Sequence, residues 1–258
     1  MLGQSLFLTI YILTIAFILG AIFGSFINCM AWRIANGESV TKGRSHCAVC
    51  GHPLGALDLV PIFSYIFLQG KCRYCGKKIS PRYMIIELVM AVAFVAVVVR
   101  FDVTFEAMRY LVLICILMGL SLVDLDKYII PDRFIIAGIV WWAVTLPLME
   151  EPWQMQLKLG LIGAFAIAGG MLVLSLLFDK VMHKESLGGG DIKLFFMTGL
   201  YIGPWIGLFN LILACIAGIV FVIVLKQKKI PFGPAISLAT FFSILFGCEV
   251  VNWYFTLL

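Results

Sequence analysis

Charged residues are scarce in this sequence: Asp, Glu, Lys and Arg make up 13% of its 258 residues, whereas hydrophobic residues make up 62%. This apolar fraction is too high for an intrinsically disordered or collagen-like chain. Eight cysteines in this length are too sparse for a secreted disulfide mini-protein. The composition also argues strongly against a soluble enzyme, and the mean hydropathy of +1.07 indicates a polytopic membrane protein.

Basic residues are missing before the first apolar run, which extends from Leu6 to about Met30, and the first of them is Arg33. A cleaved signal peptide needs a positive segment ahead of a short apolar one, so we expect a retained helix with its N-terminus outside. Sixteen of the nineteen Lys and Arg residues lie in four short segments, a pattern that indicates membrane orientation rather than nucleic-acid binding. The positive-inside rule places these segments in the cytoplasm: 31–82, 124–133, 179–193 and 226–229.

Apolar runs recur along the chain and predict an all-α polytopic membrane protein with about eight transmembrane helices in the lipid bilayer. One run, 192–203, is too short to span alone, so we expect a tilted or broken helix turned by Gly203 and Pro204. The polar stretch 31–82 predicts a cytoplasmic zinc-binding loop domain after the first helix. The runs are 6–30, 83–99, 107–123, 133–149, 156–178, 192–203, 205–225 and 232–257.

Two Cys-x-x-Cys pairs lie in this polar loop, Cys47 with Cys50 and Cys72 with Cys75, and a glycine follows each pair. Four thiolates in two such pairs are typical of a tetrahedral structural zinc site. Two disulfides or a redox pair are the alternative, but the basic loop is predicted to face the reducing cytosol, which favours zinc.

Acidic residues are also few, fourteen in all, and two groups of them stand where apolar runs begin or end. Asp124, Asp126 and Asp132 follow one run, and Gly188-Gly-Gly190-Asp191-Ile-Lys193 opens another. Two neighbouring carboxylates cannot both ionise, so one keeps a proton and the pair can activate a water, which is the chemistry of aspartic proteases. Interfacial charges that cap helix ends are the alternative interpretation.

The order of these motifs resembles that of the type IV prepilin peptidases, bifunctional leader peptidases and N-methyltransferases related to the GxGD intramembrane aspartic proteases. The resemblance covers nearly the whole chain, and the motifs together are highly specific. They are Gly24-Ser-Phe-Ile-Asn28, Arg44-Ser-His-Cys47, Gly70-Lys-Cys72-Arg-Tyr-Cys75, Ile79-Ser-Pro-Arg82-Tyr83 leading to Glu87, the Asp124 to Asp132 cluster, Gly188 to Asp191, and Pro231-Phe-Gly-Pro234.

The resemblance implies a membrane aspartic endopeptidase whose catalytic residues are Asp124 and Asp191, supported by Gly188, Gly190 and Lys193. It implies cleavage of the basic leader of type IV prepilins or pseudopilins, the substrates of pilus, competence and type II secretion systems. Cleavage at the cytoplasmic face of the bacterial inner membrane would be followed by methylation of the new N-terminus from S-adenosylmethionine. It implies the domains 1–30, the first transmembrane helix; 31–82, the tetracysteine loop; and 83–258, the protease membrane domain.

The methyl donor is expected near Asn28 and Glu87, because Glu87 is an acid in an otherwise apolar helix and could bind an amine. Pairing with Arg82 or Arg33 is an equally good role for Glu87. Two other classes of protein stay open on the residues alone. A transporter or channel could use the aspartates for protons or cations, and a membrane-anchored zinc module could lack catalysis.

Overall fold

The computed structural model describes residues 5–40, 43–182, 188–225 and 231–257. Within these ranges the chain is almost entirely helical, with two isolated β-bridges in the loop after the first helix. The helices are α1 (Leu6–Ala35), α2 (Phe63–Phe67), α3 (Arg82–Phe101), α4 (Phe105–Lys127), α5 (Asp132–Thr145), α6 (Trp153–Met182), α7 (Gly189–Leu225) and α8 (Gly233–Thr256).

Six of these described helices are long and apolar enough to cross a bilayer, namely α1, α3, α4, α6, α7 and α8. All eight predicted apolar runs are helical, so the all-helical, multi-spanning architecture is confirmed. The number of separate spans is smaller than eight for two reasons. Helix α5 has only 14 residues, and the runs 192–203 and 205–225 are two helical segments that meet at the non-helical residue Gly203 and share the label α7.

Helix α7 is interrupted at the position that the sequence indicated. Gly203 has φ 69° and ψ −174°, a non-helical conformation in the left-handed half of φ space, and Pro204 follows it. Glycine tolerates this conformation and proline cannot donate the next backbone hydrogen bond, so the two residues together produce the kink. The 37 residues labelled α7 are therefore two helical segments, one on each side of this break.

The chain divides into two compact units, residues 1–107 and 108–258. In the first unit α1 packs on α3 through glycines one turn apart. A Cβ on Gly20 would lie 2.6 Å from the Met90 carbonyl oxygen, and one on Gly24 would lie 3.0 Å from the Cα of Glu87. Small residues at this spacing let helix backbones approach closely in membranes.

In the second unit α6 and α7 make the corresponding close contact. A Cβ on Gly163 would lie 2.5 Å from the carbonyl carbon of Gly203, and one on Gly199 would lie 2.8 Å from the Cα of Ala164. Helix α8 packs against α7 through the buried side chains of Thr240 and Asn210, and α4 contacts α8 through the buried serines Ser121 and Ser237. The second unit is therefore a helical bundle with a partly polar interior.

Three of the predicted cytoplasmic segments lie wholly or partly outside the described residues. Residues 226–229 fall entirely outside, and 183–187 of the segment 179–193 do so as well. The tetracysteine loop is described except for residues 41 and 42.

Candidate active site

Asp124 lies in the last turn of α4, and only 4% of its surface is exposed to solvent. Its Oδ2 accepts a hydrogen bond of 2.9 Å from the backbone N–H of Gly233, the first residue of α8. A buried carboxylate needs such donors, because an unpaired charge removed from water costs several kcal/mol. The carboxyl group of Asp124 is thus held inside the second unit rather than exposed as a surface helix cap.

Asp191 lies in the first turn of α7 and is half-buried. Its backbone N–H donates to the Gly188 carbonyl over 3.0 Å, so Gly188 lies immediately before the first turn of the helix. The carboxyl group of Asp191 interacts electrostatically with that of Asp124. The structure therefore brings together two carboxylates that are 67 residues apart in the sequence (191 − 124).

The glycines before Asp191 lie in a confined space. A Cβ on Gly188 would lie 3.0 Å from Oδ2 of Asp191, and one on Gly190 would lie 3.1 Å from the side chain of Ile130. Both distances are shorter than an ordinary van der Waals contact. Larger residues at these two positions would displace the carboxylate or the turn after α4.

The other predicted acids have different surroundings. Asp132, the first residue of α5, forms an ion pair of 2.7 Å with Nζ of Lys193, and both side chains are more than half exposed. Lys193 therefore contacts Asp132 and gives no direct hydrogen bond to Asp124 or Asp191 among those that the structure describes. Asp126 is half-buried and follows Leu125 in α4. Its side chain therefore lies on a different face of the helix from that of Asp124.

The four cysteines of the loop lie together. The Sγ atoms of Cys47, Cys50, Cys72 and Cys75 are all within 4.8 Å of one another. Tetrahedral zinc with Zn–S bonds of about 2.3 Å requires S–S separations of about 3.8 Å, so a small contraction would complete such a site. The donor set and its spacing thus fit a structural metal ion.

The two cysteine pairs have the same backbone hydrogen bonds. Cys47 N–H donates to the His52 carbonyl and Gly51 N–H to the Cys47 carbonyl. Cys72 repeats this pattern with the equivalent residues Lys77 and Gly76. Gly51 and Gly76 have φ values of 70° and 69°, which explains why glycine follows each pair. Two equivalent turns facing one another are typical of a structural zinc site.

The thiols of this cluster differ in acidity. Backbone N–H groups of Cys50 and Val49 lower the pKa of Cys47 to about 7. The backbone of Lys77 acts in the same direction on Cys75, but burial and the neighbouring thiols raise the pKa of Cys75 to about 11. A divalent cation would supply the positive charge that lets all four thiols ionise together.

Glu87 is buried in α3, and the loop after α1 supplies one of its hydrogen bonds. The backbone N–H of Ile62 donates to Oε2 over 2.7 Å, and the Ser25 side chain also contacts the carboxylate. Neither Arg33 nor Arg82 forms a salt bridge with Glu87 among the ion pairs described. Arg33 instead donates to backbone carbonyls, including that of Gly43 over 3.2 Å.

A cavity of about 720 Å³ lies within the first unit, between α1, α3 and the tetracysteine loop. Glu87 and Ser25 line it at one side, and the aromatic residues Trp32, Tyr65 and Tyr83 also contribute to the wall. Asn28 is 4% exposed and its Nδ2 has no hydrogen-bond partner among the described residues, but it does not line this cavity. Of the two predicted methyl-transfer residues, Glu87 therefore lines this cavity and Asn28 does not.

Three contacts around these carboxylates were not predicted from the sequence. Gly233 donates to Asp124, and Ile62 and Ser25 contact Glu87. The motif Pro231-Phe-Gly-Pro234 indicates a turn at this position but does not indicate which residue Gly233 contacts. The other two contacts use the backbone of Ile62 and the side chain of Ser25, and these residue types do not by themselves indicate a functional site.

Comparison with known proteins gives the family. The Bacterial Peptidase A24 N-terminal domain matches residues 18–101, and the Type IV leader peptidase family matches residues 111–223. A Bacillus subtilis prepilin leader peptidase/N-methyltransferase is 32% identical over 94% of this chain and 97% of its own length. The enzyme of the same name from Aeromonas hydrophila is 32% identical over 83% of this chain and 75% of its own.

A third relative is the Escherichia coli type 4 prepilin-like proteins leader peptide-processing enzyme, 30% identical over 85% of this chain and 88% of its own length. No solved structure gave a significant match. The membrane-spanning helices and the leader peptidase match define the class of protein, a membrane peptidase. The chain belongs to the prepilin leader peptidase/N-methyltransferase family, and its apolar helices make it a protein of the bacterial cytoplasmic (inner) membrane.

Proposed function

We propose that this chain cleaves the basic leader peptide of type IV prepilins or pseudopilins and then methylates the new N-terminal residue with S-adenosylmethionine. The proposal is carried by one observation: Asp124, buried at the end of α4, and Asp191, half-buried at the start of α7, lie within electrostatic range of one another. The names of the relatives agree with this assignment.

In the proposed peptidase step, Asp124 and Asp191 share one proton and hold a water between them. The ionised carboxylate takes a proton from the water as its oxygen bonds to the scissile carbonyl carbon. The protonated carboxyl group gives its proton to the carbonyl oxygen, which forms a tetrahedral diol. Collapse of the diol breaks the C–N bond as the leaving nitrogen gains a proton, and the shared proton returns to the pair.

The substrate is expected to approach from the cytoplasmic side. Asp124 is in the last turn of α4 and Asp191 in the first turn of α7, so both lie at helix ends rather than at mid-helix. A prepilin joins a basic leader to an apolar helix, so its scissile bond lies where that helix leaves the membrane. The basic segments 31–82 and 124–133 favour this face as the cytoplasmic one, with the N-terminus outside.

For methyl transfer we propose that the cavity of the first unit accepts the donor, with Glu87 at the reaction centre. S-adenosylmethionine supplies an electrophilic methyl group on a sulfonium ion. Glu87 could hold a cationic group by charge attraction and take the proton that the acceptor amine must lose. Trp32 or Tyr65 could stack on an adenine ring, and Asn28 is retained as a second candidate whose unpaired Nδ2 is buried outside the cavity.

The four cysteines are proposed to bind one zinc ion that stabilises the loop and takes no part in either reaction. The corresponding domains are the first transmembrane helix 1–30, the tetracysteine loop 31–82 and the protease membrane domain 83–258. No nucleic acid is proposed as a partner, because the basic residues follow the membrane topology.

One experiment tests the main proposal. Purified chain is mixed with a prepilin and S-adenosylmethionine, and the product mass is measured, which reports leader removal and the added methyl group together. Asp124→Asn and Asp191→Asn should yield only uncut prepilin while protein and metal content are retained. A transporter or a zinc module without catalysis predicts no product from any of these proteins, including the unaltered chain.

A further inference from the structure

The segment Pro231–Pro234 leads into α8 and contacts the helices of both proposed catalytic aspartates. Its Gly233 donates the 2.9 Å backbone hydrogen bond to Oδ2 of Asp124, and Gly233 is itself buried. The bond uses a backbone group, so any residue except proline could provide it. The requirement for glycine must come from another property of the position.

That property is space. A Cβ on Gly233 would lie 2.7 Å from Oδ2 of Asp124 and 3.3 Å from its Cγ. The first distance is shorter than Cβ atoms adopt, and the atom in the way is the carboxylate that the glycine binds. Any side chain at this position must therefore displace Asp124 or the start of α8.

A second hydrogen bond fixes α4 and α8 one turn away. Ser121 Oγ lies 2.8 Å from Ser237 Oγ, and both serines are buried. Ser121 is three residues before Asp124 on α4, and Ser237 is four residues after Gly233 on α8. The two bonds thus connect the same faces of the two helices at successive turns, which holds Gly233 at a fixed distance from Asp124.

The neighbouring residue contacts α7. The Phe232 ring lies 6.2 Å, centroid to centroid, from the ring of Phe195, which is fully buried four residues after Asp191. A Cβ on Gly218, further along α7, would lie 2.8 Å from the Phe232 ring. Phe232 therefore packs against both segments of α7, the one that begins near Asp191 and the one after Gly203.

We propose that Pro231–Pro234 is a positioning element for the peptidase reaction, in which Gly233 orients Asp124 and Phe232 fixes the helix of Asp191 beside it. The hydrogen bond occupies Oδ2 of Asp124 and directs Oδ1 towards the attacking water. This inference rests on the proposed dyad of Asp124 and Asp191. Neither Gly233 nor Phe232 contacts the substrate in this arrangement, so both act through the aspartates.

The test is steady-state cleavage of a prepilin by Gly233→Ala, with kcat and KM measured separately. Displacing Asp124 should lower kcat by about 10²-fold. This effect is comparable to the loss of a well-aligned hydrogen bond to a charged group. KM should change less than about twofold, because the leader and apolar helix of the substrate are not contacted. Gly170→Ala is the matched control, since a Cβ there meets no atom within 4 Å, and it should cleave normally.

Two further sets of variants keep the inference testable if Gly233→Ala does not fold. Phe232→Ala should lower kcat about tenfold, and Phe232→Leu, which keeps an apolar contact with Phe195, should recover most of that loss. Ser121→Ala combined with Ser237→Ala removes both partners of the second hydrogen bond without leaving an unpaired hydroxyl, and it should lower kcat severalfold.

The outcomes separate this inference from the dyad itself. If Asp124→Asn is inactive but Gly233→Ala cleaves with the unaltered kcat, the positioning role is wrong and the dyad stands. A raised KM with unchanged kcat would equally contradict it, because that result assigns the segment to substrate binding. If Asp124→Asn and Asp191→Asn both cleave normally, the proposed peptidase mechanism fails before Gly233 is considered.

Discussion

Ile62 donates its backbone N–H to Oε2 of Glu87 over 2.7 Å, which joins the loop after α1 to the first turns of α3. Ile62 has φ 64° and ψ −55°, a conformation that is strained for a β-branched residue. Such strain persists only where the surroundings enforce it. The carboxylate of Glu87 therefore has a structural partner whatever its role in chemistry.

Glu87→Gln separates the structural role from the chemical one. The amide keeps an oxygen that can accept from Ile62, so the loop should stay in place, but the negative charge is lost. We expect methyl transfer to fall by about 10²-fold or more while leader cleavage is unchanged. The product mass reports both steps, and normal methylation by this variant would leave Glu87 with the structural role alone.

The tetracysteine loop should hold one zinc ion per chain. Metal analysis of freshly purified reduced protein is expected to give that ratio, because four thiolates in two equivalent turns form a closed site. Cys47→Ser should lose the metal and make the loop at least about tenfold more sensitive to protease, since metal binding contributes folding free energy. Cys215→Ser, outside the cluster, is the control, and zinc-free protein with a protected loop would contradict the assignment.

Close packing of α6 on α7 predicts an unequal response to alanine. Gly163→Ala places a Cβ 2.5 Å from the backbone of Gly203 and should destabilise the second unit by about 1–3 kcal/mol. Gly169→Ala on the same helix meets no atom within 4 Å and should be neutral or slightly stabilising. Thermal unfolding in detergent measures both, and equal midpoints for the two variants would show that the helices are less closely packed than described.

Much of this architecture could be predicted from the sequence, because apolar runs and cysteine spacing are local signals. Each Cys-x-x-Cys pair and the kink at Gly203 follow from residues a few positions apart, and the two pairs of the cluster share one loop. The number of separate membrane spans was harder to predict from the sequence, because a kinked helix and a helix followed by a loop have similar hydropathy. Helix α5 shows the same difficulty, because its apolar run continues beyond its last helical turn.

The contacts of the candidate site depend on tertiary packing and could not be derived in this way. Gly233 and Asp124 are 109 residues apart, and nothing in either local sequence indicates that one donates to the other. The partner of Lys193 is likewise a matter of helix placement: the sequence put this lysine beside Asp191, whereas its side chain reaches Asp132. The sequence identified the candidate side chains by their residue types, but only the folded structure shows which of these side chains contact one another.

Lys193 is therefore expected to contribute little to cleavage. Its ion pair with Asp132 is exposed on both sides, and such pairs are worth about 0–1 kcal/mol. Lys193→Gln should keep kcat within about threefold of the unaltered chain, measured on the same prepilin. A loss of about 10²-fold or more would instead place the lysine in direct contact with the substrate or the dyad.

The final prediction compares the four aspartates by single replacement with asparagine. Asp124→Asn and Asp191→Asn should each lower cleavage by at least about 10³-fold without unfolding the protein, because a proton-transfer group is lost and the volume is kept. Asp126→Asn and Asp132→Asn should be much milder, since Asp132 pairs with Lys193 and Asp126 lies on another face of α4. Quantified leader removal measures all four.

The pH dependence of kcat adds a signature that a structural role would not give. The dyad needs one ionised and one protonated carboxyl group, so cleavage should rise and then fall with pH, with apparent pKa values that belong to the pair. Asp126→Asn and Asp132→Asn should keep this bell shape. If Asp124→Asn cleaves normally while Asp126→Asn is inactive, the dyad uses the other carboxylate of α4. If both Asp124→Asn and Asp191→Asn stay active, the aspartic mechanism proposed for this pair of residues is wrong.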